Sequence, residues 1–369
     1  MNTIKSNIGI KHEYYSSFQL VPFVSVNQSF HAVYTLLGLS FKNSIPHIIA
    51  TRALHESAIE CLQFLAKKRF LRVTFITPDV TGNILASVIE ENILPDTFLI
   101  SVPFAHYETG TLLNVLAISE TCHKVNIPLH VDATMAIGIE KINMVSNGID
   151  ILHYASPNTS CVIYNNDVLR GYSIMFPMWN QGNETKIHES YLHNTIENFE
   201  FRNTTQQKML QQKIRFLREL YTQLPIVSID TQSDGICFMG DQNIHNTLAN
   251  FVTIAIIKIK GKPFSNKEFT DSVNVQHLEL STGYKYNRYV YTNFYMSQLD
   301  LPLEVRRGLI RITFLNADLK IAQIVVMAQK IIKKITSYID VTQKTQSEPS
   351  ENTSTQTIQT NNIPFANVV

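Results

Sequence analysis

Long apolar runs and a strong net charge are both missing from this 369-residue sequence. No apolar stretch reaches the ~20 residues that a membrane-spanning helix needs, and the N-terminus lacks the basic-then-apolar layout of a secretory signal peptide. Lysine and arginine total 31 against 30 aspartates and glutamates, a net charge of +1. This balance gives no electrostatic reason to expect nucleic acid or an anionic membrane as a partner. We therefore expect a soluble, intracellular protein.

Cysteine is scarce, and its spacing excludes two kinds of scaffold. The sequence has four widely separated cysteines and no CxxC pair: Cys61, Cys122, Cys161 and Cys237. This pattern argues against a disulfide framework or a zinc ribbon and indicates a reducing compartment. None of the 12 histidines pairs with Cys, Asp or Glu at a recognised metal-ligand spacing. We predict no metal site.

Short β-branched segments alternate with segments of helical periodicity from about residue 46 onward. Predicted strands are IPHIIAT, LRVTFIT, TFLISVPF, PLHVDAT, DILHYA and CVIYNN. Helices between strands imply right-handed βαβ crossovers and a mostly parallel sheet covered on both faces, which is an α/β fold. Ligands of such sheets bind at the carboxyl ends of strands. The polar and aromatic residues at those ends are Tyr107, Glu108, Asp132 and Ser156.

The periodicity also predicts how the chain is divided. Residues 1–225 form a large α/β domain that ends with a long helix, TTQQKMLQQKIRFLRELYTQL. Residues 226–338 form a smaller α+β domain with the strands FVTIAIIKIK and LIRITF and the terminal helix IAQIVVMAQKIIKKI. Residues 339–369 are polar and rich in Ser, Thr and Gln, which is typical of a disordered tail.

Four segments in order resemble motifs of the class V aminotransferases, specifically the NifS/IscS-like cysteine desulfurases. They are PDTFLISVPFAHYETGTLLNV, LHVDATMAIG, STGYKY and GLIRITF. The resemblance covers roughly residues 46–335, and within the family the chain also resembles viral NifS-like proteins. It implies a fold-type-I pyridoxal-phosphate transferase, a shortened N-terminal segment and a homodimer. For a viral member it also implies the host cytoplasm as the location, with packaging into virions as an alternative.

Three residues match positions that carry chemistry in this family. Asp132 matches the aspartate that pairs with the pyridine nitrogen of the cofactor and makes the ring an electron sink. His55 matches the histidine that stacks on the cofactor ring, and Arg311 matches the arginine that binds the substrate carboxylate. Judged as single residues, each has a structural alternative. His55 can be a helix-start histidine with a satisfied polar tip, and Arg311 a strand arginine paired internally.

Other family positions have lost the residue that the chemistry needs. No lysine lies between Lys141 and Lys186, and Asn158 stands where the family has the lysine that binds the cofactor covalently. Tyr286 stands near the position of the sulfur-accepting cysteine, and a phenol cannot carry a persulfide. Further departures occur at positions that would contact the cofactor, including the first turn that would bind phosphate: Tyr107, Met135, Ile196, Phe30, His31 and Val33.

Because these losses point the same way, we expect a degenerate, non-catalytic protein that acts as a protein-binding or regulatory scaffold. No cofactor is expected, and pyridoxal phosphate enters through the family resemblance only. The partner would be an unidentified protein, such as a host factor. Two alternatives stay open. The chain could bind pyridoxal phosphate without the usual anchor, with Lys285 as a substitute, or it could pair with a genuine cysteine desulfurase as a regulatory subunit.

Overall fold

The computed structural model describes residues 8–23, 25–38, 41, 44–156, 159–170, 202–231, 233–259, 264–282 and 301–339. The chain forms two compact units, Met1–Gln206 and Gln207–Val369. The predicted tail lies outside the described residues, apart from residue 339.

A seven-stranded sheet forms the centre of the first unit, in the spatial order β1-β7-β6-β5-β4-β2-β3. Its strands are β1 (Phe18–Phe23), β2 (His47–Thr51), β3 (Arg72–Ile76), β4 (Thr97–Pro103), β5 (Leu129–Asp132), β6 (Ile151–Ser156) and β7 (Thr159–Asn165). The pairs β3–β2, β2–β4, β4–β5 and β5–β6 are parallel, whereas β7 pairs antiparallel with β6 and with β1. The predicted α/β fold with a mostly parallel sheet is confirmed.

The central strands are mostly apolar because both of their faces are covered. Every residue of β2, β4 and β5 is buried, which is expected of parallel strands with both faces covered. The register aligns Pro103 with Asp132 and Asp132 with His153. The carboxyl end of β5 is thus held between two other strands, and the side chain of Asp132 is enclosed.

The described residues of this unit form the α-helices α1 (Val26–Gly38), α2 (Glu56–Lys67), α3 (Ala86–Glu91) and α4 (Val115–Lys124). The side chain of His55 caps α2, and that of Asn114 caps α4 by accepting a hydrogen bond from the backbone N–H of Ala117. Such caps satisfy N–H groups that have no partner within the helix. Helices α2, α3 and α4 fall in the segments predicted from periodicity.

The strand β1 and the helix α1 were not predicted from the sequence. Strand β1 is at the sheet edge, where Pro22 is tolerated because an edge strand does not need every N–H for the sheet. Helix α1 packs against α2 and carries Phe30, Val33 and Tyr34, whose side chains are fully buried.

The second unit contains a four-stranded antiparallel sheet in the order β10-β11-β9-β8. Its elements are α5 (Asn203–Gln223), β8 (Gly235–Met239), β9 (Phe251–Ile257), α6 (Asn266–Ser272), β10 (Leu278–Ser281), α7 (Leu303–Gly308), β11 (Leu309–Phe314) and α8 (Ile321–Thr336). The unit begins within α5, whereas the sequence-based division lay at residue 225. The physical reason is that Phe216, Leu217 and Leu220 of α5 share a core with β9 and α8.

Two features are absent from the described part of the chain, a membrane-spanning helix and a metal-binding cluster. None of its helices is long and apolar enough to cross a membrane. Over the same residues, no group of three or more His, Cys, Asp or Glu side chains could hold a metal ion.

Gly308 is a position where even one added methyl group should be costly. A Cβ atom there would lie 2.0 Å from the carbonyl oxygen of Ile256 and 2.7 Å from its carbonyl carbon. Because these are backbone atoms of a central strand, they cannot move aside as a flexible side chain would. We expect Gly308→Ala to lower the free energy of unfolding by ~1–3 kcal/mol or more, measured by urea unfolding followed by circular dichroism.

Gly38→Ala is the matched control. Its added Cβ atom would come no nearer than 4.0 Å to the side chains of Phe98 and Pro46. A stability loss of equal size in both variants would contradict the explanation by a backbone clash.

Candidate functional site

The candidate site lies where β5 and β6 end and where α1 and α2 begin. Asp132 is the last residue of β5, and His153 is its neighbour on β6. Helix α1 contributes Ser29 and Phe30, and His55 caps α2. All five side chains are buried. Ligands of α/β proteins bind at these carboxyl ends of the parallel strands.

The two carboxylate oxygens of Asp132 differ in their hydrogen bonding. Its Oδ1 accepts hydrogen bonds from the backbone N–H of Thr134 at 3.0 Å, from the Thr134 hydroxyl at 2.6 Å and from His153 Nδ1 at 3.4 Å. Its Oδ2 is buried and has no hydrogen-bond partner among the described residues. Burial alone would raise the pKa of Asp132, but the bond and charge of His153, the charge of His55 and the Thr134 bond outweigh it and lower the pKa.

His153 connects this carboxylate to two serine hydroxyls. Its Nδ1 faces Asp132, while its Nε2 lies 2.8 Å from Ser29 Oγ and 2.9 Å from Ser160 Oγ. Ser160 also donates to Ser29 at 2.6 Å, and Ser29 donates to the Val26 carbonyl. The order aspartate, histidine, serine resembles a hydrolytic triad, but all of these side chains are buried. The network therefore holds the imidazole in place and offers no exposed nucleophile.

The structural alternative for His55 is present in the structure. Its Nδ1 accepts a hydrogen bond from the backbone N–H of Ser57 at 3.1 Å, so the imidazole caps α2. Burial lowers the pKa of His55 to about 4; the charge of Asp132 opposes the shift and that of His153 adds to it. The ring is consequently neutral near pH 7 and acts as an acceptor and an apolar surface.

Aromatic side chains of the protein itself surround His55. The Phe30 ring stands 6.1 Å from His55 at an interplanar angle of 23°, and only 4.1 Å from His153. Tyr107 packs edge-to-face on His55 at 5.1 Å. A third ring fits between two near-parallel rings only if those two rings are about 7 Å apart, because each of its faces needs a contact distance of ~3.5 Å. A cofactor ring therefore does not fit between His55 and Phe30 while Phe30 keeps this position.

The fit to pyridoxal phosphate is accordingly mixed, and on balance negative. The open Oδ2 of Asp132 is the acceptor that a protonated pyridine nitrogen would use. The ring that should stack on His55, however, would overlap Phe30. Tyr107, which replaces a polar cofactor contact, is buried against His55, and Met135 is half-buried.

The remaining predicted residues lie elsewhere or outside the described residues. Arg311 belongs to β11 of the second unit, where its guanidinium stands 5.5 Å above the Phe251 ring. Asn158, Tyr286 and Ile196 lie outside the described residues.

The sequence-based prediction did not include His153, Ser29 and Ser160. A signal for His153 was present: it is a polar residue inside the otherwise apolar strand segment DILHYA, three residues after Asp150. A polar side chain in a buried strand needs a hydrogen-bond partner. The partner could not be named, because Asp132 becomes its neighbour only through the register of β5 and β6.

Residues 24–157 match the family model Aminotransferase class-V. "Cysteine desulfurase IscS" of Clostridium botulinum (strain Kyoto / Type A2) is 36% identical over 121 residues, 32% of this chain and 30% of the relative. "Cysteine desulfurase IscS" of Buchnera aphidicola subsp. Acyrthosiphon pisum (strain 5A) is 30% identical over 115 residues, 31% and 28% of the two chains. Over this stretch the chain is similar to class V aminotransferases and to IscS cysteine desulfurases. The matched stretch spans less than a third of these curated relatives.

Solved structures are similar to this chain in fold. A NifS-like protein from Rickettsia africae matches with a TM-score of 0.65 at 14% identity, over 91% of this chain and 85% of that one. The apo structure of a cysteine desulfurase from Thermococcus onnurineus matches with a TM-score of 0.67 at 15% identity, over 91% and 82%. At this identity the likeness establishes the fold-type-I architecture.

Three buried histidines should make the protein sensitive to mild acid. Burial lowers the pKa of His55 and of His106 to about 4 and that of His130 to about 3. The unfolded chain protonates its histidines near pH 6.5, so between pH 6.5 and 4 it binds more protons than the folded chain. Stability should therefore be full above pH 6.5 and fall as the pH decreases, by ~1.4 kcal/mol per pH unit for each histidine.

The measurement is urea unfolding between pH 7 and 4.5. We expect His130→Gln to flatten the pH dependence by about one histidine's share, while His12→Gln, at an exposed residue, leaves the slope unchanged. Burial raises the pKa of Asp150 and acts in the opposite direction, which reduces the total slope. Stability that stays constant from pH 7 to 5 would contradict the prediction.

Proposed function

We propose that the chain is a non-catalytic NifS/IscS-like protein that keeps the fold of a cysteine desulfurase as a protein-binding or regulatory scaffold. The observation that carries the proposal is the position of Phe30. Its fully buried ring stacks 6.1 Å from His55 and packs 4.1 Å from His153, where the resemblance would place a cofactor ring. An intact core built around a closed site supports retention of the fold without its chemistry.

The absent lysine supports the same proposal. Sequence alignment by motif assigns the anchor position to Asn158, and no lysine occurs from residue 142 to residue 185. A carboxamide nitrogen is not nucleophilic, so it cannot form the covalent link that a lysine amine forms. Pyridoxal phosphate, when bound in this family, supplies an electron sink for substrate carbanions; here Asp132 is the residue that would hold its nitrogen.

The state of the cysteines argues against sulfur transfer by this chain. All four cysteines of the sequence are free thiols. Burial raises the pKa of Cys61 and of Cys122 to about 12 and that of Cys237 to about 11, and it also raises the pKa of Cys161. A persulfide carrier has to react as a thiolate. At neutral pH these thiols stay protonated, and three of them are also buried, so none is suited to accept sulfur.

A residual pyridoxal-phosphate binder is the second candidate, because one observation favours it. The Asp132 Oδ2 atom is buried without a partner among the described residues, and a buried acceptor without a partner costs ~1–3 kcal/mol. A pyridinium N–H would satisfy it. This candidate requires Phe30 to leave its present position.

Partner and location belong to the same proposal. A scaffold of this kind would bind an unidentified protein, such as a host factor, or would pair with a genuine cysteine desulfurase through the dimer surface of the fold. A homodimer, an intracellular location and, if the chain is viral, the host cytoplasm are proposed on the family resemblance.

The decisive test is a titration of the full chain with pyridoxal phosphate, followed by borohydride reduction and peptide mass analysis. We expect no new visible absorbance band and no modified lysine, because both the anchor and the ring space are missing. An authentic IscS desulfurase treated in parallel is the positive control. A band that disappears in Asp132→Ala, together with one specifically modified lysine, would replace the scaffold proposal with the second candidate.

Removal of the Phe30 ring should open the site. We expect Phe30→Ala to destabilise the protein by ~3–5 kcal/mol and to bind pyridoxine, which has the ring but no aldehyde. The readout is a saturable rise in melting temperature that Asp132→Asn abolishes. Phe30→Leu, a smaller change, serves if the alanine variant does not fold.

Phe98→Ala is the matched control, because it removes an equally enclosed ring from β4, 2% exposed in the protein. It should lose stability without gaining pyridoxine binding. Equal pyridoxine binding by the unmodified chain would show that Phe30 does not block the ring space.

A further inference from the structure

A cavity of about 550 Å³ lies at the other end of the parallel strands, beside their amino ends. Its lining includes Pro128 and Asp150, which directly precede β5 and β6, and Asn165, the last residue of β7. None of the residues that form the candidate site described above lines this cavity. Its volume is within the range of small-molecule sites, ~300–1,000 Å³. The first unit thus contains a concave site at the amino ends of its parallel strands, apart from the closed site at their carboxyl ends.

A buried carboxylate and a reachable imidazole provide the polar side of this cavity. The side chain of Asp150 is 4% exposed, and that of His123 is 45% exposed. Asp150 Oδ2 accepts hydrogen bonds from His123 Nε2 at 2.9 Å and from the backbone N–H of Leu129 at 2.8 Å. These two bonds fix the carboxylate, so that its orientation does not depend on a ligand.

Carboxylates dominate the charge of the lining. Asp150 and Asp167 line the cavity, and among the described residues no lysine or arginine does; the imidazole of His123 is bound to Asp150. Asp167 forms an ion pair with Arg170, but both side chains are largely exposed, so solvent screens this pair. Asp150 is buried, and a buried negative charge favours a cation that can approach it without water between them. The two carboxylates would repel an anionic ligand.

The remaining lining is mostly apolar and includes two aromatic rings. Tyr14 comes from the 3-10 helix His12–Ser17, and Phe18 is the first residue of β1. Aromatic rings attract cations that are positioned over their faces, and apolar walls hold the body of a small ligand. We propose that this cavity binds a small organic cation, a primary amine with a compact apolar body, with Asp150 as the counter-charge. The site goes beyond the scaffold function and does not depend on it.

The test uses the full chain and three probes of one shape: benzylamine as the cation, benzyl alcohol as the neutral compound and benzoate as the anion. Calorimetric titration and the rise in melting temperature report binding. We expect benzylamine to bind saturably and both other probes to bind at least about tenfold more weakly, a difference of ~1.4 kcal/mol. Equal binding of the three probes, or no binding of benzylamine at millimolar concentrations, would overturn the proposal.

Two test variants and one control variant locate the site. Val145→Lys places a cation at the rim of the cavity, where Val145 is 52% exposed, and should weaken benzylamine binding about tenfold. Val88→Lys, at an exposed position of α3 outside the lining, should leave binding unchanged. Asp150→Asn removes the counter-charge at constant shape and should also weaken binding. If that variant does not fold, Val145→Lys decides the matter, and unchanged affinity in it would refute the assignment.

Discussion

The buried carboxylate of Asp132 is the feature around which the first unit is arranged at the ends of its strands. A charge enclosed by protein has to be met by hydrogen bonds and by nearby positive or polar groups. Here Thr134 and His153 take one oxygen, and two serines hold the far side of His153. The strand register that puts β5 beside β6 makes this compensation available.

Phe30 completes that arrangement from helix α1. Its ring lies against the imidazole of His153 and beside that of His55, so that the polar network is sealed by an aromatic side chain. In a relative that uses a pyridoxal cofactor, a bound ring would stand in such a place and satisfy the aspartate. In this chain the protein supplies its own aromatic ring, although one oxygen of Asp132 is left without a partner among the described residues. The Phe30 ring therefore closes this site by packing within the first unit.

Local patterns in the sequence were sufficient for the elements of the sheet. Strands β2 to β7 follow apolar, β-branched segments, and helices α2 and α4 follow apolar residues at helical spacing. Strand β1 and helix α1 were missed, because β1 contains Pro22 and is stabilised by pairing with the distant β7. The start of the second unit was displaced for a similar reason. The apolar face of α5 shows that the helix packs, but only the tertiary contacts show which core receives it.

The sequence by itself determined that no lysine occurs from residue 142 to residue 185, and the family resemblance predicts Asn158 at the anchor position. It also predicted that Asp132 stands at the carboxyl end of a parallel strand, because the apolar pattern of a strand is a local property. The tertiary structure alone decided that Phe30 faces His55, that His153 is the partner of Asp132, and that His123 and Asp150 share a second cavity. These are contacts between residues far apart in the chain, and such contacts depend on packing and register, which no local pattern encodes.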